Sequence, residues 1–204
     1  MPGGFVTLGP DWAGQSAFII CGGPSVAGQD IDTLRGRLVV VVNSSVYVAP
    51  WADILFFGDE RWELKHRAAV KSFKGRVLSS SYGSVHCNYI EFLKRPKPGD
   101  CPAGLSDDPS QAWMRFTSVR GAINVLCHYG VKRIVTLGLD GGPDATGKTH
   151  HHAPHSQNPN IWKLQREEFA GVAPALKQRG IELLNASPGS KLPFWPIVEL
   201  KDVI

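Results

Sequence analysis

Short, unbroken apolar runs punctuate this chain, and nearly all of them close on small or polar residues. Residues 17–21 form the first run and end in Gly22-Gly23-Pro24-Ser25. A run this short, without polar alternation, predicts a strand buried on both faces, as in a parallel sheet. Residues 38–42 repeat the pattern and close on Asn43-Ser44-Ser45, and residues 52–57 close on Gly58-Asp59. Further strands are predicted at 76–80, at 133–137 before Gly138-Leu139-Asp140, and at 181–184. Between them the spacing turns helical. Residues 30–36 read as a short helix ended by Gly36, and residues 60–70 place Trp62, His66 and Ala69 on one face. A helix starts at Thr117 or Ser118 as N-cap, carries Val119, Ala122, Ile123, Leu126 and Cys127 on its apolar face, and stops at Gly130. Asn160 caps a long helix reaching about Arg179. Residues 94–112 and 141–160 read as exposed polar loops, and the tail from Leu192 packs back on the body or on a partner. The expected class is α/β with a mostly parallel sheet and helices on both faces.

Polar residues at the ends of successive buried strands matter because an open parallel sheet binds ligands outside the carboxyl ends of its strands. The first turn is the sharpest case. Two glycines let the backbone bend and leave its N–H groups uncovered, and Ser25 can cap a helix that follows. A strand, a glycine turn and a helix N-terminus together favour an anion, although Gly-Gly-Pro is also ordinary turn chemistry. With Asn43, Ser44, Gly58 and Asp59 predicted on the same edge, a nucleotide or phosphate site becomes the better expectation.

Composition narrows this further. The 204 residues suit one domain with a sizeable core. A net charge of +4 with no like-charge block is compatible with an anionic substrate and does not point to nucleic acid. Cys21, Cys87, Cys101 and Cys127 are widely spaced with no CxxC pair, so free thiols in a reducing compartment are expected. No signal peptide or apolar run of transmembrane length is seen, which makes a cytoplasmic protein of bacterial or phage origin the expectation.

Several side chains could carry chemistry. The run His150-His151-His152 with His155 admits three readings: a metal site, a general base titrating near neutrality, or a solvated loop. Pro154 argues against a helical His151/His155 ligand pair. Arg115 stands just before a helix start, where a guanidinium can clamp a phosphate or make a structural ion pair. Asp140, and equally Asp59 or Glu60, can hold a ribose hydroxyl, a metal or a turn. Trp62, Trp113 and Trp162 are expected in the core. Neither GxGxxG nor a Walker A pattern is present, which argues against an ordinary NAD fold and a P-loop enzyme.

Taken in order, Cys21-Gly-Gly-Pro-Ser25, Asn43, Phe56-Phe-Gly-Asp59, Arg115-Phe-Thr-Ser118, residues 134–140 and His155-Ser-Gln-Asn158 resemble the family 42 bacterial sialyltransferases. They also resemble the wider superfamily of MptE-like flagellar accessory and pterin diphosphokinase proteins. The resemblance spans roughly residues 16–190 and implies a single Rossmann-like, nucleotide-binding domain over residues 1–204, with a short lid-like loop at 141–158 and a C-terminal tail at 191–204. It implies a metal-independent, inverting glycosyltransferase using a CMP-sialic-acid-type donor, with no obligatory cofactor and CMP or a CMP-sugar as ligand. By that resemblance His155 is the base and Arg115 is functionally important. Gly22, Gly23, Pro24, Ser25, Asn43, Ser44, Gly58, Asp59, Thr117, Ser118, Gly138 and Asp140 line the nucleotide site. The chain departs from the family at Gly22 and Gly58-Asp59, where the family carries Asn, and in a lid without tyrosine. Lys148 or His151 is then expected to meet the phosphate. The implied partners are a nucleotide-sugar donor, a glycan acceptor and a second copy of the chain, with peripheral membrane contact open for the tail around Trp195. Two alternatives stand beside this: a Mg-dependent diphosphotransferase, with Asp59 or Asp140 as ligands, and a non-catalytic nucleotide-binding or phage assembly protein.

Overall fold

The computed structural model describes residues 4–81, 87–97, 99–153 and 158–204. Seven strands form one sheet: β1 (Ser16–Ile20), β2 (Leu38–Val42), β3 (Ile54–Phe57), β4 (Arg76–Ser79), β5 (Glu91–Phe92), β6 (Arg133–Leu137) and β7 (Glu182–Asn185). Every pairing is parallel, and the order is β5-β4-β3-β2-β1-β6-β7. The chain steps outward from β1 to β5, then returns to the other side of β1 for β6 and β7. The strand order therefore reverses between β1 and β6, the place where such sheets open a crevice at their carboxyl edge.

The unbroken apolar runs are explained by helices on both faces. Ala17, Ile19, Val40, Val42 and Phe56 point to one face, packed by Ala122, Ile123 and Leu126 of α2 (Ser118–His128) and by Phe169 and Val172 of α3 (Ile161–Gln178). Phe18, Ile20, Val39, Val41, Leu55 and Phe57 point to the other, against Leu34 and against Val70 of α1 (Glu60–Ser72). This is the expected α/β, Rossmann-like arrangement. Trp195 of the tail meets Phe169 edge to face, with ring centroids 5.5 Å apart, and Asn185 bonds to Pro196 and Val198, so the tail packs on the body.

Three local expectations are corrected. The glycine turn after β1 leads into a five-residue 3-10 turn, Pro24–Gly28, with no side-chain cap, so no helix N-terminus faces the sheet edge there. Residues 94–112 are not simply an exposed loop: Leu105, Ser106 and Ala112 are buried, tied down by Asn124, which accepts from Ser106 N at 2.9 Å and donates to its carbonyl. Asn160 sits at the start of α3 but makes no side-chain cap bond; Asn158 Oδ1 accepts from Asn160 N instead. β5 was not expected, because two residues are too short to leave a periodic signal. The α2 start is as expected, with Thr117 Oγ1 accepting from Val119 N at 3.2 Å and Gly130 closing the helix at φ +75°. Among the described residues no helix is long and apolar enough to cross a membrane.

Candidate functional site

A cleft of about 1070 Å³ opens over the carboxyl edge of the sheet. Its floor comes from strand ends: Gly22 and Gly23 after β1, Asn43 and Ser44 after β2, Gly58 and Asp59 after β3, and Gly138 and Asp140 after β6. Arg115, Thr117 and Ser118 close one side, and α1 and the first turns of α3 supply further walls, including Trp62 and Trp162. Residues spread over more than a hundred positions thus converge on one concavity. Pro24, Ser25, Lys148 and His151 are not among the lining residues. His155 lies outside the described residues.

The glycine turn works differently from a phosphate cradle. Gly23 N donates to Gly138 O at 3.0 Å, and Ser25 N faces Asp140 Oδ2 at 3.4 Å. A Cβ on Gly23 would lie 1.9 Å from that same carboxylate oxygen and 2.4 Å from Gly138 O. The turn has to be glycine because Asp140 and the β6 end press against it. A carboxylate, not an empty nest of amides, occupies the turn. Burial pushes the Asp140 carboxyl above its ordinary range. Facing the cleft, Asp140 is suited to accept from hydroxyl groups.

Asn43 is the strained position. Its φ is +52°, in the left-handed region that few non-glycine residues enter. Its Oδ1 is buried and has no hydrogen-bond partner among the described residues. An unpaired buried acceptor carries a desolvation cost, and outliers of this kind gather at ligand sites. Next to it, the buried Ser44 hydroxyl accepts from Trp62 Nε1 at 3.0 Å, which anchors the indole against the floor.

Arg115 is exposed in the cleft with its guanidinium 4.8 Å from the Phe116 ring centroid. The backbone that carries it is held by Glu168, a residue that sequence reasoning missed. One Glu168 oxygen accepts from Arg115 N at 2.7 Å, and the other from Phe116 N at 2.8 Å and Thr117 N at 3.1 Å. Glu168 is also ion-paired to the fully buried Arg120 at 3.2 Å. Nothing in the linear sequence marks Glu168, because its partners lie some fifty residues away.

The histidine run is split by its backbone. His151 turns inward: its N–H donates to Gly22 O at 3.1 Å, and its Nε2 lies 3.2 Å from Ser45 Oγ. The Ser45 proton goes to Cys21 O at 2.9 Å, so Nε2 is the donor of the imidazole. Burial and the neighbouring His152 bring His151 down to about 4. It is a neutral structural pin for the turn. His150 and His152 lie over Gly22 and line the cleft, with ring centroids 4.8 Å apart. Lys148 belongs to a turn organised by Asp144, whose Oδ1 accepts from Lys148 N at 2.9 Å. Among the described residues no group of three or more His, Cys, Asp or Glu side chains is arranged to hold a metal ion. Asp59 caps α1 through Arg61 N at 2.9 Å.

No protein-family model matches the chain, and no curated protein does either. Among solved structures, the fold is similar to that of the sialyltransferase CstII from Campylobacter jejuni, determined in complex with a substrate analogue, cytidine-5'-monophosphate. The TM-score is 0.54 at 14% identity, over 91% of this chain and 85% of that one. At this identity the likeness is one of fold.

Proposed function

We propose that the cleft binds a cytidine nucleotide sugar of the CMP-sialic-acid type, and that the protein transfers the sugar to a glycan hydroxyl with inversion. The observation that carries this reading is Asn43: a strained residue at a central strand end with a buried acceptor lacking a donor. A nucleoside supplies such a donor, from its hydroxyls or its exocyclic amino group. Asp140, on the opposite side of the β1 turn, accepts from ribose hydroxyls on this reading, while Thr117 and Ser118 face the phosphate. The fold neighbour's complex with CMP adds support from outside the chain.

The chemistry of this reading rests on the family resemblance. The acceptor oxygen attacks the anomeric carbon, and the bond from that carbon to the phosphate oxygen breaks. CMP leaves with the electron pair, stabilised by the Arg115 guanidinium. His155 takes the acceptor proton as general base. No step requires a metal.

Thermal shifts with CMP, CDP, ATP and GTP, each with and without Mg²⁺, test the binding half. CMP at 100 times its dissociation constant is expected to stabilise the fold by about 2.7 kcal/mol without metal. Stabilisation by ATP or GTP only with Mg²⁺ would replace the reading by a diphosphotransferase, and no shift with any nucleotide would leave a non-catalytic protein. For the chemical half, His155→Ala is expected to lose turnover while retaining CMP binding. Equal loss of both would make His155 a binding residue.

A further inference from the structure

The cleft carries a second feature that the nucleotide reading does not use. Tyr47, more than half exposed at 56%, lines it from the segment after β2. The Tyr47 hydroxyl lies 2.8 Å from His66 Nδ1, and the two rings meet edge to face at 5.6 Å. His66 in turn stacks on Trp62, with centroids 4.9 Å apart and planes at 27°. Trp62 is fixed from below by Phe57 at 5.3 Å and by its bond to Ser44. Helix α1 gives up helical geometry at His66, where φ is −112° and ψ is +18°. Neither glycine nor proline occurs in α1 to account for this. The backbone leaves its regular path at the residue that joins the two aromatic rings, and such departures persist where the surroundings enforce them.

We infer that Tyr47, His66 and Trp62 form a preorganised aromatic platform for a sugar ring of the glycan acceptor; as an acceptor site, this rests on the proposed transfer reaction. Trp62 Nε1 and the Tyr47 hydroxyl are already engaged within the protein, so the platform offers exposed ring surface, chiefly that of Tyr47, rather than donors, with His66 and Trp62 holding that ring in place. Faces of this kind match the apolar C–H face of a pyranose. A nucleobase also stacks on rings, but the unpaired acceptor of Asn43 is buried at the sheet edge, whereas Tyr47 stands at the solvent-facing rim. A glycan keeps its remaining sugars in water when only its terminal ring is held there. Arg61 and Lys65, one helical turn apart on the same helix, line the cleft beside the platform and can donate to hydroxyl groups.

A glycan array probed with the labelled full chain at saturating CMP tests this, using wild type, Tyr47→Ala and Tyr47→Phe. Wild type is expected to retain a defined set of glycans. Tyr47→Ala is expected to lose them about tenfold, the size of one good ring contact, with a smaller change in CMP affinity. Tyr47→Phe, which keeps the ring, is expected to stay near wild type. No glycan retained by wild type, equal losses by the Phe and Ala variants, or an equal loss of CMP affinity in Tyr47→Ala would each overturn the platform. The CMP thermal shift of wild type is read separately. If it is absent while ring-dependent glycan retention persists, the transfer reading fails and a sugar-binding platform stands.

Discussion

The Asp140 carboxylate lies against Gly23 so closely that a β-carbon on the glycine would sit 1.9 Å from its Oδ2. This contact bridges the two strands at which the sheet order reverses, β1 and β6. It predicts that Gly23→Ala forces the turn off the β6 end, since Gly138 O blocks the alternative at 2.4 Å. The expected cost is about 1–3 kcal/mol, read as a lower urea midpoint. Asp140→Gly, added to Gly23→Ala, is expected to recover only part of it, because the backbone carbonyl remains.

Glu168 gathers three backbone N–H groups and one guanidinium, with its side chain almost fully buried. Glu168→Ala leaves Arg120 as an uncompensated buried charge and is expected to cost about 3–5 kcal/mol. Glu168→Gln retains one acceptor oxygen and is expected to cost less. Chemical denaturation ranks the two variants; equal stability of wild type and Glu168→Ala would refute the buried pair as described.

Asn43 separates strain from ligand recognition. Glycine adopts φ +52° freely and alanine does not. Asn43→Ala is therefore expected to be less stable than Asn43→Gly by about 1–2 kcal/mol. Both lose the Oδ1 acceptor, so both are expected to lose CMP affinity alike. Calorimetric titration beside thermal denaturation checks the two effects independently.

His151 makes the fold sensitive to acid. Its folded value of about 4 lies below the ordinary imidazole value of 6.5, so the unfolded chain takes up the proton first as pH falls. The stability from this neutral pin is complete above pH 6.5 and declines toward pH 4. His66 and His128 are also lowered, chiefly by burial, and add in the same direction. His151→Gln is expected to show a shallower loss of Tm between pH 6.5 and pH 4.5 than wild type. An unchanged pH slope would show that His151 is not the titrating group.

Much of this molecule was legible in one dimension. Strands β1, β2 and β6, and the Thr117 cap, are read from patterns that a few consecutive residues impose on their own backbone: continuous apolar runs, and a hydroxyl two residues before an amide. That polar strand ends share one edge also follows locally, once all strands are parallel. The placing of β6 beside β1, the Glu168 clasp and the Asp140–Gly23 contact were not legible, because each joins segments about fifty or more residues apart. The histidine run shows the same division. Its composition announces chemistry, but whether a given imidazole pins the turn, as His151 does, or lines the cleft, as His150 and His152 do, was decided by the Gly22 carbonyl and the Ser45 hydroxyl waiting beneath it.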